Sequence, residues 1–138
     1  MSDAVTMKMT LPKIPDIELV ALEGLDRLAR HLGIADAKIA EARIIVTEAI
    51  VNALEHSATE APEVAVEYTM TPTELSIHVR DNGRGFAPEE VEEPDIRSKL
   101  GTPNKRGWGL KLMKSMSDDF HIVSDGSGTT ITIRKLLR

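Results

Sequence analysis

The stretch from 36 to 56 sets the strongest limit on what this chain can fold into. Ile39, Ala42, Ile45, Val46, Ala49, Ile50, Ala53 and Leu54 recur there at helical spacing, and the apolar set is broad. A helix this apolar is buried along much of its surface. Asp36 serves as its predicted N-cap, and the helix is expected to run to about His56. Polar residues inside it need a reason, because burying an unpaired polar group is costly. Glu48 and Asn52 are two such residues. Four positions apart, they fall on one helix face.

The rest of the pattern supplies the surroundings for that helix. Val5, Met7 and Met9 alternate with Thr6, Lys8 and Thr10, so residues 5–11 read as an edge strand. Pro12 and Pro15 interrupt it, and Ile17, Leu19, Val20, Leu22, Leu25 and Leu28 mark a first helix over 16–31, closed by Gly33. Residues 63–70 and 74–81 alternate as strands joined by Thr71, Pro72 and Thr73, an antiparallel hairpin. A long charged stretch with Pro88, Pro94, Gly101 and Pro103 follows, and 86–106 is read as a flexible lid. A short helix at about 109–117 and strands near 119–123 and 129–135 close the chain. This order predicts an α+β fold: a two-layer sandwich, with a mostly antiparallel mixed sheet covered by helices on one face.

The 138 residues suit one domain over 1–138, with a core built on aliphatic residues because aromatics make up only 3%. A net charge of −5 argues against a nucleic-acid binder. The absence of cysteine excludes disulfides and thiolate metal sites. No apolar run approaches a membrane span and the N-terminus lacks a signal-peptide layout, so a soluble cytoplasmic protein without membrane contact is expected.

Four short segments can carry chemistry, and each also has a plain structural explanation. Glu48 is a candidate general base and Asn52 offers a hard oxygen for Mg²⁺, or they are a solvated Glu and a satisfied Asn. In Asp81-Asn82-Gly83-Arg84-Gly85, Asp81 has inward strand parity and can accept from an exocyclic amine, while Gly83 and Gly85 permit close backbone approach to a ligand; the alternative is an Asx-capped turn. Lys105, Arg106, Gly107, Gly109 and Leu110 flank a helix start, where backbone N–H groups and cationic side chains favour phosphate, although glycines often flank helices. Thr129, after Gly128, has inward parity and would lie beside Asp81 if their strands are neighbours, or it is simply a strand-favouring threonine.

Taken in this order and spacing, the four segments resemble the superfamily of gyrase, heat-shock chaperone, histidine kinase and mismatch-repair ATPases, whose ATP-binding domain has the Bergerat fold. Thr47-Glu48-Ala49-Ile50-Val51-Asn52-Ala53-Leu54-Glu55-His56 is similar to the first box of the anti-sigma factor serine/threonine kinases of bacterial partner-switching systems. No His precedes an acidic residue, unlike the phosphoacceptor segment of histidine kinases. The resemblance implies binding of ATP or ADP with Mg²⁺, Glu48 as base, Asn52 as metal ligand, and Asp81 with Thr129 on the adenine edge. It gives Gly83 and Gly85 the pocket wall, and Gly107, Gly109 and Leu110 the phosphate side; Lys105 and Arg106 are added for their charge. It implies an anti-anti-sigma protein of STAS type as phosphoacceptor, a sigma factor as sequestered partner, and a homodimer. The alternative is a non-catalytic ATP-binding module that sequesters a partner.

Overall fold

A computed structural model of the chain describes residues 4–57, 62–83 and 105–137. The elements are β1 (Val5–Pro12), α1 (Ile17–His31), α2 (Asp36–His56), β2 (Glu63–Met70), β3 (Glu74–Asp81), α3 (Lys105–Met116), β4 (Asp119–Asp125) and β5 (Gly128–Leu136). The strands form one five-stranded sheet in the order β1-β2-β3-β5-β4. The sheet was expected to be mostly antiparallel, and every pairing among the described residues is antiparallel.

Strand alternation decides which face the helices cover. Val64, Val66, Tyr68 and Met70 of β2, Leu75, Ile77 and Val79 of β3, and Ile131 and Ile133 of β5 are all buried. They point to one side, where α2 packs on β2, β3 and β5 and α1 packs on β1 and β2. Ala42, Ile45, Val46, Ala49 and Ile50 of α2 are fully buried, as a helix between the sheet and two other helices requires. The Tyr68 hydroxyl donates to the Ala21 carbonyl of α1 at 3.0 Å, giving the one polar atom of that side chain a partner inside the core. An Asp26–Arg43 ion pair ties α1 to α2.

The ends of the elements refine the sequence expectations. Gly33 closes α1 in a left-handed conformation at φ 71°, with Gly33 N–H donating to Arg30 and Ile34 N–H donating to Ala29, a Schellman motif. Asp36 is the first residue of α2 and Ala35 its N-cap, so Asp36 acts by its charge in the first turn and not as the cap. The third helix begins at Lys105, four residues before the predicted start. Gly107 therefore lies in its first turn and Gly109 beyond it, so Gly109 does not open the helix. The predicted lid, 86–106, lies outside the described residues except for its last two positions.

Candidate functional site

Polar residues are rare in this core. The buried polar side chains among the described residues are Asn52, Asp81 and Thr129, all singled out from the sequence. Each is held on the helix-covered side of the sheet by its element's periodicity.

Asp81 ends β3 with the same parity as Ile77 and Val79, and it is 2% exposed. Its Oδ1 accepts from Gly83 N–H at 2.8 Å and from Thr129 N–H at 3.3 Å. The first bond is an Asx turn that uses the glycine two residues on. The second crosses to β5, whose pairing with β3 sets Arg80 opposite Thr130 and so brings Thr129 beside Asp81. The strands are thus neighbours, the condition under which the inward parity of Thr129 sets it beside Asp81. Asp81 and Thr129 thus lie together at the paired ends of β3 and β5, on the sheet face that α2 covers. An ionised carboxylate accepts only, so this end is fitted to a hydrogen-bond donor.

Gly128, which precedes Thr129 in the fourth segment, has a role that the geometry supplies. Its φ is 144°, and a Cβ placed there would stand 2.2 Å from the Asp81 backbone oxygen. Only glycine lets β5 approach the end of β3 this closely. Its one signal in the sequence is its place just before Thr129.

The second cluster sits on α2. Glu48 is partly buried, and burial pushes its carboxyl pKa above the usual carboxylate range, with the Glu55 carboxylate adding to the rise. Across from it lies Gly109 of α3, where a Cβ would come within 3.0 Å of Glu48 Oε2. Gly109 is therefore small because the carboxylate needs the space. Leu110 beside it is half-buried and packs against the apolar core.

Asn52, one turn on from Glu48, is 5% exposed, and its Oδ1 is buried without a hydrogen-bond partner. An orphaned buried carbonyl oxygen costs about 1–3 kcal/mol, so such a group needs an explanation. A hard cation is one, since an amide oxygen suits Mg²⁺ and few protein ligands are needed when phosphates complete the shell. No cluster of three or more His, Cys, Asp or Glu able to hold a metal exists among the described residues. The residues present fit the ion. The two clusters are joined through α2, which packs on both β3 and β5.

Other site residues fall partly or wholly outside this description. Gly85 lies outside the described residues, and Lys105, Arg106 and Gly107 are placed as the first turn of α3 by their backbone. No helix among the described residues is long and apolar enough to cross a membrane.

Comparison with known proteins places this architecture. The chain is 28% identical over 143 residues to the serine-protein kinase RsbW of Listeria monocytogenes, covering 99% of this chain and 89% of that protein. It is 26% identical over 137 residues to the serine-protein kinase RsbW of Bacillus cereus, covering 96% and 85%. Among solved structures, its fold resembles that of a Mycobacterium tuberculosis protein with RsbU and RsbW domains, at a TM-score of 0.67 and 20% identity. The likeness covers 97% of this chain and 33% of that one. The mycobacterial sensor histidine kinase MprB shares the fold at a TM-score of 0.56 and 19% identity, covering 97% and 99%. Residues 16–135 match the histidine kinase-like ATPase domain. On that match over nearly its whole length, the chain belongs to the histidine kinase-like ATPase domain family.

Proposed function

We propose that the chain is an ATP-dependent protein serine/threonine kinase that phosphorylates an anti-anti-sigma protein of STAS type and sequesters a sigma factor or similar regulator. One observation carries the chemistry. A carboxylate with a raised pKa and a buried carbonyl oxygen without a partner sit one turn apart on α2, as a base and a metal ligand need to be. The relatives named serine-protein kinase, similar over nearly the full chain, support protein as the acceptor.

The roles are those that the family resemblance implies. Asp81 accepts from the adenine amine, and Thr129 supports the same edge of the base. Gly83 and Gly85 form the pocket wall. Asn52 Oδ1 would hold Mg²⁺, which when bound neutralises and orients the phosphates. Lys105 and Arg106, with Gly107, Gly109 and Leu110 of α3, serve the phosphate side, and residues 86–106 act as the lid of a single domain. Glu48 takes the proton of the attacking hydroxyl as its oxygen bonds to the γ-phosphorus. The bond from that phosphorus to the β–γ bridging oxygen breaks, and ADP leaves. The chain works as a cytoplasmic homodimer; light scattering should then give twice the 15.1 kDa of one chain.

Label transfer from γ-labelled ATP to an anti-anti-sigma protein of STAS type tests this reading. Glu48→Gln should lower transfer by about 100-fold or more, as loss of a general base does. Its affinity for ADP should stay within about threefold of the original, since no base is needed to bind. Equal transfer by the variant removes the base assignment.

A further inference from the structure

The Thr129 hydroxyl has a neighbour that these roles leave unused. Ser124 on β4 stands opposite Thr129 in the β4–β5 ladder, and the two hydroxyl oxygens are 2.9 Å apart. Thr129 in turn donates its backbone N–H to Asp81 Oδ1. A line of polar groups, Ser124–Thr129–Asp81, therefore runs across the ends of three adjacent strands, β4, β5 and β3. Its middle and last members are 1% and 2% exposed, so their hydrogen-bonding directions are set by each other and not by solvent.

A hydroxyl has one hydrogen and two lone pairs, so only one of the two oxygens can donate across the 2.9 Å contact. If Thr129 donates to Ser124, it has only a lone pair left for a ligand. If Ser124 donates to Thr129, the hydrogen of Thr129 is free for a ligand acceptor. The purines differ at this point. Adenine presents a donor amine beside an acceptor, ring nitrogen N1. Guanine presents an acceptor oxygen beside a donor N1–H. The Asp81 carboxyl oxygens, which accept from Gly83 and Thr129, suit the amine and oppose the guanine oxygen, and the group beside them must then be a donor.

We propose that Ser124 donates its hydroxyl hydrogen to Thr129 and thereby fixes Thr129 as the donor to adenine N1. Ser124 is a positioning residue that acts on the base only through Thr129. The assignment deepens the nucleotide reading above and rests on it.

Calorimetric titration with Mg²⁺ separates the two claims. The ligands are ADP and 1-deazaadenosine diphosphate, which lacks ring nitrogen N1; the proteins are the full chain, Ser124→Ala and Ser124→Thr. Ser124→Ala leaves the Thr129 hydroxyl to be ordered on binding, so ADP affinity should fall about two- to tenfold. For the deaza analogue, Ser124→Ala and the original chain should bind alike. Ser124→Thr, which keeps the hydroxyl, should bind ADP as the original does. Undiminished ADP binding by Ser124→Ala, or an equal loss for both ligands, overturns the assignment while leaving the nucleotide reading intact. No binding of ADP by the original chain overturns both.

Discussion

Glu48 pairs a half-buried setting with a second carboxylate on its own helix face, and both disfavour its ionised form. Its folded pKa lies above the unfolded value, so the folded state holds the proton more tightly. Stability is then lost as pH rises from the ordinary glutamate range through the raised value. Melting temperatures across that range should show Glu48→Gln gaining on the original chain as pH increases. Phosphotransfer should move the other way, increasing with pH as the base ionises. Glu55→Gln removes the smaller cause of the rise, and the inflection should shift to lower pH. Asn52 gives a different signature. Replacing it with Ala removes the orphaned oxygen together with some packing, and these changes offset each other to within about 1–2 kcal/mol. Scanning calorimetry should find apo Asn52→Ala melting near the original chain, but without the extra stability that Mg²⁺ and ADP confer on the original. Glu48 and Asn52 were legible because a polar residue on an apolar helix stands out. The raised pKa and the missing partner of Oδ1 were not legible, since both depend on how the sheet and α3 close over α2.

At the scale of elements, three places depend on the absence of a side chain. At Gly128 a positive φ coincides with a backbone oxygen 2.2 Å from where a Cβ would stand. Gly128→Ala should cost about 2–4 kcal/mol in chemical denaturation, from backbone strain and steric overlap together. Two residues earlier, Gly126 has nothing within 4 Å of a Cβ. Gly126→Ala should stay within about 0.5 kcal/mol, and similar losses at both positions would contradict the close β3–β5 approach. Gly109 separates folding from chemistry. It lies inside α3, where Ala gains helix propensity of about 1 kcal/mol over Gly, while the new methyl crowds Glu48 Oε2. Gly109→Ala should therefore retain or gain stability and transfer phosphate about tenfold more slowly. Gly24 lets α1 settle on β1, for a Cβ there would come within 2.8 Å of Met7 Sδ. None of these roles could be read from the sequence, because a glycine shows its reason only once the opposing atom is placed. The strands themselves could be read, since alternation survives in the sequence wherever one face of a sheet is covered. The start of α3 was placed four residues late because Gly107 and Gly109 look like helix-flanking residues and give no apolar period over 105–108.

Across the whole molecule, a sheet covered on one face leaves its ligand-facing residues few positions. The order β1-β2-β3-β5-β4 brings the last strand of the sequence between β3 and β4 and so sets Thr129 against Asp81, 48 residues away in the chain. Inward parity is legible in the sequence, but the strand order that turns it into this juxtaposition is a tertiary fact with no local signal. The central claim is that the residues at the β3–β5 end and those on α2 face one nucleotide cleft. Titration of ADP with Mg²⁺ into the original chain, Asp81→Asn and Asn52→Ala tests it most directly. One saturable site is expected in the original chain, weakened by about tenfold or more in Asp81→Asn, which loses the charged acceptor for the amine. In Asn52→Ala the Mg²⁺-dependent part of the affinity should be lost. The absence of binding, or binding indifferent to both substitutions, would contradict the account.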